Sequence, residues 1–253
     1  PKDLPERSAL RLAIVLDRSG SMSGMPLEEA KRCAIEIVSS LSLKDKVSII
    51  TYDNTITVVA PLTSLEERSS LIGKIKEIRS GGMTNLFGGW EMGAKQLEQQ
   101  VSKDTISRIL ILSDGQANEG LTEPSEIYRF VQNFTDKGIS TSTYGLSNSF
   151  NEDLMVGMAN AGNGSSYYGE TADDLREPFM EELALLNAIC AKNLQVSFDL
   201  KEGISCSIIN QNIVEKDSAY NMMNLTYDGE AWLAFELTIP ASLSGKAKGE
   251  MVS

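Results

Sequence analysis

The chain has 253 residues, 42% of them hydrophobic, enough to bury a sizeable core as one domain or as one domain and a smaller companion. Its 35 acidic and 23 basic residues leave a formal net charge of −12, which argues against a nucleic-acid partner, and no apolar run is long enough to span a membrane. There is no histidine, which excludes Ser-His-Asp and Cys-His nucleophile pairs and histidine-based zinc sites, so any ion must be held by oxygen. Cys33, Cys190 and Cys206 are an odd count at no metal-ligand spacing and read as buried or unpaired thiols. No signal peptide is visible from Pro1 onward, and the chain starts without a methionine, which leaves cell-surface, periplasmic and cytoplasmic locations all open.

Leu12 to Leu16 is a short apolar run, the pattern of a strand covered on both faces. Leu27, Ala30, Ala34, Ile37, Val38 and Leu41 follow at helical spacing, with Pro26 suited to the first turn. Val47–Tyr52 and Thr55–Val59 read as a hairpin around Asp53-Asn54. Helical stretches near Leu65–Ile78 and Leu86–Gln100 flank the turn "SGGMTNL", and the strand Ile109–Leu112 runs into "SDGQANEG". Helix Ser125–Asp136, strand Ile139–Tyr144, helix Glu152–Ala161, strand Ser165–Tyr168 and helix Ala172–Ile189 complete the alternation.

Such alternation predicts an α/β domain over residues 8–189: a doubly wound open sheet, mostly parallel, with one antiparallel edge strand from the hairpin. After Cys190 the helix signals stop. "LQVSFDL", "ISCSIIN", "YNMMNLTY" and "EAWLAFELTIP" read as an antiparallel β segment over residues 190–253, part of a β-sandwich. Trp90 and Trp232 are expected to be packing residues, and Asn118 and Glu119 turn and surface residues.

The chemistry lies at strand ends. Asp17 and Asp114 each terminate an apolar strand, and open α/β sheets bind ligands outside the carboxyl ends of their strands, where strand order reverses. If those two strands are neighbours, both carboxylates enter one crevice, where Ser19, Ser21 and Thr84 add hydroxyl oxygens. Two carboxylates and three hydroxyls suit a hard cation, Mg²⁺ with Mn²⁺ or Ca²⁺ as alternatives. Gly20, Gly81, Gly82 and Gly115 permit tight loops around it. Thr84 is also placed to cap the helix that follows.

Asp17-x-Ser19-x-Ser21, the threonine of "GGMTNL" and the aspartate of "SDGQANEG" together resemble the metal-ion-dependent adhesion site of the von Willebrand factor type A domain, over about residues 8 to 189. "GLSNSFNEDLMVGMANAGNGSSYY" and the β segment resemble bacterial A-domain proteins related to inter-alpha-trypsin inhibitor heavy chains. Met83 departs from the small residue that relatives often carry there. The resemblance implies that Ser19 and Ser21 bind the metal through their hydroxyls, Thr84 directly or through water, and Asp17 and Asp114 largely through water. It further implies that ligand engagement is coupled to the final helix, where Leu175, Phe179, Leu183 and Leu186 form an apolar stripe.

Neutral hydroxyls leave much of the ion's charge unneutralised, so an open position on the metal should attract an Asp or Glu carboxylate from a protein partner. The expected role is adhesion or complex assembly rather than catalysis, and a docking subunit of an ATPase or membrane complex would use the same site. The enzyme alternative is a Mg²⁺-dependent phosphotransferase-like hydrolase with Asp17 as nucleophile. That chemistry usually wants a second carboxylate two residues on, where Ser19 stands. "GSMSG" misses the Gly-x-Ser-x-Gly elbow at Met22, and no phosphate-binding loop motif is present.

Overall fold

Leu12 to Leu16 are completely buried, as a strand covered on both faces must be, and they form the middle of β1, Ala9–Asp17. The computed structural model describes residues 8–102, 104–146, 151–191, 194–201, 203–209, 214–216, 219–222, 225–226 and 229–240. After β1 come α1 (Met25–Ser40), β2 (Lys46–Tyr52), β3 (Ile56–Ser64), α2 (Arg68–Lys76) and α3 (Leu86–Glu98). Then follow β4 (Thr105–Ser113), α4 (Pro124–Asp136), β5 (Ile139–Leu146), α5 (Glu152–Ala161), β6 (Ser166–Gly169) and α6 (Ala172–Ala188).

These six strands make one sheet in the order β3-β2-β1-β4-β5-β6. Only the β2–β3 pairing is antiparallel; the other four are parallel. The fold is therefore the mostly parallel, doubly wound α/β sheet with one antiparallel edge strand that the sequence predicts. The chain leaves β1 toward β2 and later returns on the opposite side as β4, so strand order reverses between β1 and β4. The edge strand is longer than expected, continuing through Pro61 to Ser64. An edge position tolerates proline because one side of the strand has no ladder partner to serve.

Helix α3 lies close against the sheet because glycines face it. A Cβ on Gly89 would come within 2.4 Å of Tyr52 Cδ1, and one on Gly93 within 2.8 Å of Val15 Cγ2. Trp90 beside them is fully buried, and its Nε1 donates to Thr141 Oγ1 at 3.0 Å. Trp232 does not share that role, being 76% exposed. Its apolar character alone carried no information about which neighbours the tail would offer.

The apolar stripe of α6 is buried as expected. The helix is not held by non-directional contacts alone, however. Glu182, on the same face, is 2% exposed, and its carboxylate accepts from Arg108 on β4 and from Ser142 and Tyr144 on β5. Arg108 also donates to Ser140 Oγ at 2.9 Å, Ser142 Oγ at 3.0 Å and the Asn163 carbonyl at 3.2 Å. Burial, reinforced by the Glu182 charge, pushes the Tyr144 phenol well above its usual pKa, so it stays a donor. At the start of α6, the Ala172 N–H donates to Glu29 Oε2 of α1 at 2.6 Å.

By internal contacts the chain divides into two compact units, Pro1–Asn187 and Ala188–Ser253. The second holds, among the described residues, β7 (Ile189–Ala191), β8 (Gln195–Ser197), β9 (Ser205–Ile208), β10 (Val214–Lys216), β11 (Ala219–Asn221), β12 (Leu225–Thr226) and β13 (Phe235–Thr238). All their pairings are antiparallel: β10 with β11, β11 with β8, β12 with β7 and β13 with β9. Rings of Phe198, Tyr220 and Phe235 cluster within it. Among the described residues no helix is long and apolar enough to cross a membrane.

Removing one partner of a buried ion pair strands the other charge. Glu182→Ala is therefore expected to lower stability by about 3–5 kcal/mol in urea denaturation. Asp173→Ala, which breaks an exposed ion pair at the same helix, should leave the midpoint unchanged.

Candidate metal centre

Parallel pairing places Leu16 opposite Leu112, so the chains emerge from β1 and β4 side by side. Asp17, fully buried, is held by three donors. Ser113 Oγ of β4 donates to Oδ2 at 2.6 Å, the Tyr52 hydroxyl of β2 donates to the same oxygen at 3.2 Å, and the Ser19 N–H donates to Oδ1 at 2.9 Å. Ser113 Oγ, which ties the two strand ends together through Asp17, is itself fixed by the Gly115 N–H at 2.9 Å. Asp114 is also fully buried; its Oδ1 accepts from the Gln116 N–H at 3.1 Å, while its Oδ2 is buried with no hydrogen-bond partner.

Three loops meet here. Ser19 is buried and Ser21 exposed, with their Oγ atoms 3.1 Å apart in hydrogen-bonding contact. The loop carrying them is pinned to the Gly81–Asn85 segment from both sides: the Gly20 N–H donates to the Gly82 carbonyl at 2.8 Å, and the Gly81 N–H to the Arg18 carbonyl at 2.7 Å. Thr84, buried, is pinned to the loop after β4. Its N–H donates to Asn118 Oδ1 at 2.8 Å, and its carbonyl accepts from the N–H groups of Asn118 and Glu119, both at 3.2 Å. Asp17, Ser19, Ser21, Thr84 and Asp114 thus all lie on loops or strand ends joined by direct hydrogen bonds at the switch point.

Two expectations need correction. Thr84 does not cap α3; Asn85 does, its Oδ1 accepting from the Gly88 N–H at 2.9 Å. Threonine and asparagine are both good N-caps, and the side chain that reaches the first turn is the one a residue later. Asn118 is more than a turn residue, since its side chain fixes the backbone at Thr84, and Glu119 is half-buried rather than a surface group.

Burial pushes the Asp17 carboxyl up to about 6, and the Asp114 charge adds to the rise; the hydrogen bonds from Ser113 and Ser19 oppose it without winning. Arg18, next in sequence, is turned to Asp53 at 3.0 Å. Two buried carboxylates, one with an unpartnered oxygen, make a site short of positive charge. Among the described residues no three His, Cys, Asp or Glu side chains gather as a ligand group, so an ion held here would need hydroxyl oxygens as well. That chemistry fits a hard divalent cation.

A mostly parallel, doubly wound sheet with buried carboxylates at the strand ends of its switch point defines an α/β domain with a polar strand-end site. The chain belongs to the von Willebrand factor type A domain family, whose model matches residues 12–181. It is 28% identical over 198 residues to an uncharacterised Escherichia coli protein, YfbK, covering 77% of this chain and 34% of that protein. It is also 28% identical over 187 residues to human inter-alpha-trypsin inhibitor heavy chain H3, covering 68% of this chain and 21% of that protein. The chain thus spans about a third of one relative and a fifth of the other. A von Willebrand factor type A structure from Catenulispora acidiphila superposes with a TM-score of 0.69 at 16% identity, over 91% of this chain and 57% of that one. Proximal thread matrix protein 1 from the mussel byssus, with a zinc-occupied adhesion-site motif, does so at 0.57 and 14% identity, over 74% and 51%. At these identities the structures establish the fold alone.

Gly115 turns the chain directly after Asp114 with φ +75°, and a Cβ there would lie 3.0 Å from Met155 Cγ and 3.1 Å from the Asn151 backbone oxygen. Gly115→Ala is expected to lower stability by about 1–3 kcal/mol in thermal or urea unfolding. Gly24→Ala, also at positive φ but with nothing within 4 Å of the added Cβ, should lose less.

Proposed function

We propose that residues 8–189 form a metal-dependent protein-binding module. In this reading a divalent ion, Mg²⁺ with Mn²⁺ or Ca²⁺ as alternatives, is held by the hydroxyls of Ser19 and Ser21 and by Thr84 directly or through water. Asp17 and Asp114 balance its charge largely through water. The observation that carries the reading is the buried, unpartnered Oδ2 of Asp114 in the same polar cluster as the buried Asp17. An unsatisfied carboxylate oxygen at such depth is a lasting penalty unless a cation or its water meets it.

Members of the family are typically metal-dependent interaction modules, and the byssus structure has zinc at its adhesion-site motif. With neutral hydroxyls providing much of the coordination, the ion keeps positive charge for an incoming group. An Asp or Glu carboxylate from a partner protein is the group that matches it, in adhesion or in assembly of a larger complex. Catalysis by Asp17 as a nucleophile is disfavoured, because Oδ2 is engaged by Ser113 and Tyr52 and Oδ1 by the Ser19 N–H, with the whole side chain buried.

Isothermal titration with Mn²⁺ tests this. Wild-type protein should bind one ion, and Asp17→Ala or Asp114→Asn should abolish tight binding while the far-ultraviolet circular dichroism stays the same. Equal affinity in all three proteins overturns the assignment. A chain ending at residue 189 should fold alone and bind Mn²⁺ as tightly as the full chain; a molten near-ultraviolet spectrum would refute the proposed domain division.

A further inference from the structure

Asp53 belongs to no recognisable motif, yet it is 4% exposed and touches both halves of the candidate centre. It opens the turn between β2 and β3, where its Oδ1 accepts from the Thr55 N–H at 2.6 Å and so fixes its own rotamer. Its Oδ2 lies 3.0 Å from Arg18 Nη2, the side chain between Asp17 and Ser19. The same Oδ2 accepts from the Gly82 N–H at 3.3 Å, and the Asp53 carbonyl accepts from the Asn85 N–H at 3.0 Å. Gly82-Met83-Thr84 is therefore an arch whose two flanking donors, at Gly82 and Asn85, both end on Asp53. Met83 within it is 54% exposed, and Thr84 is buried.

Glycine at 81 is what lets the aspartate come so close: a Cβ there would sit 1.9 Å from Asp53 Oδ2. The Arg18 carbonyl, receiving the Gly81 N–H at 2.7 Å, closes the connection back to the loop of Ser19 and Ser21. Asp53 is neutralised by Arg18 and directed into the arch. Its charge is used to hold backbone.

We infer that Asp53 is a positioning residue that, from the side opposite Asn118, helps present the Thr84 hydroxyl to the ion and so raises the affinity of the centre. The inference rests on the metal reading proposed above. Groups that orient metal ligands without touching the metal typically change affinity about 10–100-fold when removed.

Because Asp53→Asn alone leaves Arg18 as an unpaired cation near the ion, the decisive variant is Arg18→Gln/Asp53→Asn, which leaves the net charge unchanged. It is compared with wild type, Thr84→Ala and the triple variant by Mn²⁺ titration. Amide hydrogen exchange is measured on the metal-free proteins. The expected result is an affinity about 10–100-fold below wild type, faster exchange at Gly82 with Asn85, bonded to the retained Asp53 carbonyl, as the internal reference, and little further loss on adding Thr84→Ala. Gly81→Ala, which must push the carboxylate aside, should reproduce both effects in a chain with its charges intact. Wild-type affinity in the double variant beside weakened binding by Thr84→Ala overturns the inference and leaves the metal reading standing. Exchange that accelerates across the whole sheet also overturns it, as a sign of general destabilisation. Absence of Mn²⁺ binding by the wild type overturns the metal reading and the affinity claim together, while exchange at Gly82 still judges the arch.

Discussion

The parallel pairing of β1 with β4 is the constraint on which the functional end of the molecule depends. It brings two buried strand-end carboxylates to neighbouring strand ends. Asp17 reaches its position as part of the strand, and Ser113 of the neighbouring strand holds it there. The sheet thereby stores an electrostatic penalty at its switch point, visible in the upward push on Asp17. Hydrogen bonds orient the group but do not offset its burial. A bound cation would, which links the ligand state of the site to the stability of the central strands.

The rest of the centre is backbone work. Ser19, Ser21 and Thr84 are short side chains, so their oxygens go where their loops go. Those loops are joined by direct backbone contacts between Gly20 and Gly82, between Gly81 and Arg18, and between Thr84 and the pair Asn118 and Glu119. Asp53 and Asn118 supply the side-chain acceptors at the two junctions. A site of this construction is fixed by backbone hydrogen bonds and leaves Met83 and Ser21 exposed.

Sequence periodicity located the strands and helices because burial on both faces of a parallel sheet leaves an unmistakable apolar run, as at Leu12–Leu16. Asp17 and Asp114 were legible for the complementary reason: a charge immediately after such a run must be accounted for. Asp53, Asn118 and Glu182 were not legible. Each acts on a residue 29 or more positions away, Asp53 on Gly82, Asn118 on Thr84 and Glu182 on Arg108, and no local pattern encodes that distance. Thr84 was identified as a ligand candidate but also given the capping role that Asn85 holds, since a single sequence cannot choose between adjacent good caps. The β tail was read correctly as antiparallel, but four expected strands became seven short ones among the described residues, because strand ends there are set by pairing rather than by composition.

The polar seat of α6 bears on how such a domain can respond to a ligand. An apolar stripe permits a helix to slide by a turn, since one leucine contact resembles the next. Glu182 makes the seat discrete: its carboxylate is matched to Arg108, Ser142 and Tyr144 together, and displacement by a turn would leave it buried without partners and Arg108 without its countercharge. The Glu29 contact at the start of the helix adds a second fixed point, on the helix that begins just after the Ser19–Ser21 loop. Any signal from the metal end to α6 would therefore have to be strong enough to open a buried ion pair, or else pass through α1 and Glu29 while α6 keeps its register. The second route requires only small shifts, and in physical terms it is the easier one.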